Sequence, residues 1–158
     1  MTDSPRDLLR HTVATLAYRA GKALRDAPDG FSDFRVAAGS RSAGEILAHM
    51  GDLFDWALSM AEGNERWKNV PCQTWQADTA RFFAALETFD AHLANKELAV
   101  PAERLFQGPV ADALTHTGQL TLMRRLAGAP VKGENYSRAT ITVGTAGASQ
   151  AAAHTEFD

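Results

Sequence analysis

Residues 42–60, SAGEILAHMGDLFDWALSM, decide the fold. Ser42 and Glu45 stand at the spacing of a capping box, in which a serine hydroxyl and a glutamate carboxylate satisfy each other's backbone amides at a helix start. Ile46, Met50, Leu53, Ala57 and Met60 then recur at intervals of three or four, which is the period of a helix with one apolar face. The pattern stops near Gly63. His49 falls inside the apolar arc, where an imidazole needs a reason to be.

Working outward, three further helical patterns appear. Before this stretch, Ser4 is placed to cap a helix with Pro5 at its first position and Asp7 in its first turn. Leu8, Leu9, Val13, Leu16 and Ala20 give that helix an apolar repeat, which fades before Pro28 and Gly30. After it, a helix is expected from about Thr74 or Trp75 to Leu93, with Phe82, Leu86 and Phe89 at helical spacing and Asn95 as a stop. The last is expected to begin after Gly108 and Pro109, to run through Leu114, Leu120 and Met123, and to end at Gly128 with Pro130 beyond it. The fold class is therefore all-α, a four-helix bundle spanning about 4–128. Connections longer than the roughly 2 to 8 residues usual in simple bundles allow the chain to cross from one end to the other. Residues 129–158 are rich in Gly, Ala, Ser and Thr, with ATITV as their one alternating patch. They are expected to form an extended tail that wraps the bundle, contacts a partner subunit or moves freely.

Composition narrows the partners. The chain has 158 residues, 45% of them hydrophobic. That suffices for one domain with its own core, without disulfides or a structural metal. Sixteen basic against nineteen acidic residues leave a net charge of −3 with no basic run, which argues against nucleic acid or an anionic membrane as partner. One cysteine, Cys72, excludes an intrachain disulfide. No apolar run reaches the ~18 residues of a membrane span, and MTDSPRDLLRHTV lacks the layout of a signal peptide. A cytoplasmic protein is the expectation.

Chemistry concentrates in three residues. Asp112 and His116 are four apart and share a helix face, so with His49 brought opposite they could hold one divalent cation and leave a coordination position open. Each residue also has a plainer explanation. His49 could be a hydrogen-bonded core histidine, and Asp112 a first-turn carboxylate favoured by the helix dipole. Gln119 reads as an ordinary helix residue or as a hydrogen-bond partner for a ligand. His11, His92 and His154 have no partner at ligand spacing. Trp56, Trp67 and Trp75 read as packing residues, Cys72 lacks a nearby base, and Asp52, Asp55 and Glu45 read as solvated. Arg124 and Arg125 suit the negative end of the last helix, with an anionic thiol cofactor as a further use.

SAGEILAHMGDLFDWAL, followed about sixty residues later by DALTHTGQLTLMRRLAG, resembles the DinB superfamily of damage-inducible four-helix-bundle proteins, the DinB/YfiT-like metalloenzymes of bacteria. PVKGENY is similar to members of one subgroup. The resemblance implies an up-down-down-up bundle, a homodimer and a divalent metal, zinc or nickel, on the second and fourth helices. His49 and His116 match two of the family's histidine ligands, and Asp112 stands where the third is commonly histidine. A carboxylate oxygen remains compatible with such ions. The implied function is a metal-dependent enzyme that transfers a low-molecular-weight thiol, such as bacillithiol or mycothiol, to an electrophile or hydrolyses a small substrate. The alternative is a non-catalytic, stress-linked binding or dimeric scaffold with a vestigial metal site.

Overall fold

A computed structural model describes residues 4–157; the last residue of the expected tail, Asp158, lies outside them. Helix α1 covers Pro5–Leu24, α2 Ala43–Ala61 and α3 Trp75–Asn95. Each begins where its capping chemistry is written. Ser4 accepts the Asp7 amide at 3.2 Å, and Thr74 accepts that of Ala77 at 3.1 Å. At α2 the Ser42 hydroxyl takes the Glu45 amide at 3.1 Å while the Glu45 carboxylate takes the Ser42 amide at 2.7 Å, so the capping box is complete.

The last long helix departs from expectation. A short α4, Ala102–Leu105, runs through a π-helical turn, Phe106–Val110, directly into α5, Ala111–Leu126. Pro109 therefore lies inside helical backbone rather than before it. The wider turn tolerates this because the Ala111 amide reaches back to the Phe106 carbonyl, a five-residue step. Leu105 and Val110 on either side are fully buried, so packing holds the segment helical. Past Leu126, Gly128 takes a φ of 77°. The Ala129 amide returns to Arg124 and that of Gly128 to Arg125, the left-handed glycine stop read from the sequence.

The four long helices form a ring of neighbours in which α2 packs on α3 and α5, and α1 packs on the same two. Their shared core holds Val13 and Leu16 of α1, Leu47, Met50 and Phe54 of α2, Phe82, Leu86 and Phe89 of α3, and Leu120 of α5. Leu8, expected on the apolar face of α1, is 58% exposed. Among the described residues no helix is long and apolar enough to cross a membrane.

The tail wraps back onto the bundle. Its strands are β1, Gly133–Glu134, and β2, Glu156–Phe157, paired antiparallel; the alternating ATITV patch forms none. Glu134 is buried, accepting the Tyr18 hydroxyl at 2.6 Å and Lys22 Nζ at 3.0 Å. Ala146 reaches the core itself.

Two more residues depart from their reading. Asp52 is not solvated but 4% exposed. It accepts Arg81 at 2.7 Å and the Val70 amide at 3.2 Å, which ties the connection between α2 and α3 to both helices. Arg124 is buried beneath the end of α1, donating to the carbonyls of Ala23, Arg25, Asp26 and Ala129. Four of its five N–H donors are taken by backbone carbonyls and the side chain is buried, so its role is to fasten the end of α1.

Candidate metal centre

Helices α2 and α5 lie side by side, and their contact brings His49 opposite Asp112 and His116. His49 Nε2 is 3.4 Å from Asp112 Oδ2, and His116 Nε2 is 3.4 Å from Asp112 Oδ1. One ligand atom from each residue falls within 4.8 Å of the others. A tetrahedral zinc with bonds of ~2.0 to 2.2 Å separates its ligand atoms by about 3.4 Å, so the carboxylate stands at ligand distance from both imidazoles. The two rings meet edge to face with centroids 5.0 Å apart.

The surroundings are compatible with ligation. Gln119 Oε1 lies 2.7 Å from His116 Nδ1. An acceptor there places the hydrogen on Nδ1 and leaves the Nε2 lone pair facing Asp112. Burial lowers the pKa of His49, with Arg41 and His116 adding to the effect and Asp112 opposing it. The ring is thereby kept neutral, the form that binds metal. Trp67 packs edge-on against His49, with ring centroids 5.5 Å apart, and Trp56 backs Trp67. Together they shield one flank. The other flank is open, since the Asp112 side chain is 46% exposed against 17% for His49 and 11% for His116.

The first-turn explanation of Asp112 is overturned by the π turn. Nine residues of helical backbone, four in α4 and five in the turn, precede Ala111, so no free helix N-terminus stands beside this carboxylate. His11, His92 and His154 stay outside the cluster. Cys72 is exposed, and burial of its sulfur with help from Asp78 raises the thiol pKa, the opposite of activation. Asp55 is exposed and bonded to Arg81 at 2.7 Å, and Glu45 is held by its cap and by Arg35.

Arg41 is the residue that sequence reasoning missed. It precedes the α2 cap and lines a cleft on each side of the trio. One, of 320 Å³, includes His116, Gln119, Ile46 and Met123; the other, of 150 Å³, includes His49, Asp52 and Cys72. No periodic pattern could have marked it, because it lies outside the helix.

Comparison with family models, curated proteins and solved structures finds no match for this chain.

Proposed function

We propose that the chain is a divalent-metal-dependent enzyme of the DinB-like kind, with His49, Asp112 and His116 as ligands of zinc or nickel. The observation that carries this reading is the trio itself. Imidazoles from α2 and α5 each stand 3.4 Å from the carboxylate of Asp112, beside a solvent-open flank where a further ligand fits. Among the described residues no fourth His, Cys, Asp or Glu joins the cluster, and a three-ligand set of this type is that of a catalytic rather than a closed structural site. The half-exposed Asp112 thus favours the enzyme over the scaffold.

The ion, when bound, supplies Lewis acidity that lowers the pKa of coordinated water to about 7 or holds a thiol as thiolate at neutral pH. The protein's own part is positional. Gln119 fixes the tautomer and orientation of His116, Trp67 packs the His49 ring, and the two clefts give a substrate room beside the ligands. The reactions this suits are transfer of a low-molecular-weight thiol to an electrophile and hydrolysis of a small substrate. The up-down-down-up topology, the homodimer and the damage-inducible bacterial setting belong to the same reading through the sequence resemblance.

Elemental analysis of untagged protein tests it. Wild type is expected to carry near-stoichiometric zinc or nickel, and His116→Ala and Asp112→Ala to carry little. Wild type that stays metal-free after reconstitution would overturn the enzyme and leave the scaffold.

A further inference from the structure

The cleft beside His116 has two chemically distinct sides. Ile46 and Met123 form a buried apolar floor, and Val36 and Leu122 extend it outward although they are 53% and 55% exposed. Apolar side chains left in solvent around a concave site mark a place where apolar ligand surface is received. Arg41 stands on the same rim. Among the described residues its guanidinium has no hydrogen bond or ion pair, whereas Arg35 nearby grips both oxygens of Glu45 at 2.8 and 3.2 Å, and Arg81 holds Asp52 and Asp55. The carboxylates of α2 that could have answered Arg41 are thus already engaged.

Charge points the same way. A divalent cation held by one carboxylate and two neutral imidazoles retains a net positive charge, and Arg41 adds another at the rim. The volume, 320 Å³, lies at the small end of the roughly 300 to 1,000 Å³ typical of ligand pockets.

We infer that this cleft seats a small organic anion with an apolar body, its carboxylate on Arg41, its chain along Ile46, Leu122 and Met123, and its donor atom at the metal. The inference rests on the metal-centre reading and names the substrate class of that site. Arg41 and Leu122 act as specificity residues, selecting charge at one end and apolar length between.

Protein loaded with cobalt(II) provides the test, because a thiolate bound to cobalt gives a charge-transfer band. The probes are mercaptopropionate and mercaptohexanoate, each titrated against the alcohol of the same chain length. Each acid is expected to bind about tenfold or more tightly than its alcohol, as a charge-assisted arginine contact would produce. Arg41→Gln is expected to abolish that preference with cobalt content unchanged. Leu122→Ser is expected to reduce the advantage of the longer acid over the shorter. Equal binding of acid and alcohol to wild type, or a preference that survives Arg41→Gln, overturns the inference while the metal centre stands. Failure to bind cobalt at all removes the metal centre and this inference together.

Discussion

Two of the polar clusters on this bundle are built in opposite ways. Where the tail docks, Tyr18, Lys22, Glu134 and Glu156 use their bonding capacity on one another at 2.6 to 3.2 Å, and Glu134 is 6% exposed. Between α2 and α5, the histidines and Asp112 approach only to 3.4 Å, and the carboxylate is half in solvent. A buried charge is tolerable when its hydrogen bonds are made within the fold. The first cluster meets that condition and serves as a fastening. The second leaves lone pairs unused within the fold, as the proposed metal site requires.

The contrast breaks most forcefully at Glu134. Glu134→Ala would strand the Tyr18 hydroxyl and leave Lys22 to Glu156 alone, so a loss of about 3 kcal/mol is expected in denaturant unfolding, the same with or without added zinc. A loss below ~1 kcal/mol would mean that the tail contributes little to stability.

At the other cluster, the sharper probe is Gln119→Ala. Removing the partner of His116 Nδ1 is expected to weaken metal binding by about 10- to 100-fold, with unfolding of the metal-free protein changed by less than ~0.5 kcal/mol, since Gln119 is exposed. Competition with a chromophoric chelator reads the first quantity. An unchanged affinity would assign Gln119 to the helix surface alone.

Acid gives the smallest effect. Burial pushes the Glu134 pKa up, but the bonds from Tyr18 and Lys22 outweigh it, and the net direction is below the ordinary 4.5. A carboxyl depressed in the folded state contributes its full stability above its unfolded pKa and loses it as pH falls through the folded one. Hydrogen-exchange protection factors at Gly133, Glu134, Glu156 and Phe157, taken relative to intrinsic rates at each pH, should therefore fall below about pH 4.5, more steeply in wild type than in Glu134→Gln. The change should be less than for the alanine variant because a protonated Glu134 still accepts hydrogen bonds. Parallel profiles in the two proteins would remove Glu134 as the cause.

What the sequence made legible follows the range of the interactions. The Ser4 and Ser42 caps and the Gly128 stop depend on neighbours within a few residues and stand where they were read; Thr74, read only as a possible start of its helix, caps it. The four-residue spacing of Asp112 and His116 was likewise local. Its meeting with His49 depended on the packing of α2 against α5, which no single helix encodes. Tyr18 and Glu134 are 116 positions apart, and only the docked tail reveals their bond. Gly108 and Pro109 misled for the opposite reason. Their local chemistry reads as a helix beginning after them, and burial of Leu105 and Val110 carries helical backbone through them instead.

The π turn before α5 carries a consequence for how this chain tolerates editing. Each residue added to or taken from a helix turns everything beyond it by about 100° about the axis. Between Ala102 and Ala111 the residue count therefore acts as a phase setting for Asp112 and His116. A one-residue deletion in α4 or the turn would swing both side chains away from His49 unless the π turn tightened to α-helix and absorbed it. Lengths in this segment are under a constraint that substitutions elsewhere on α5 do not feel.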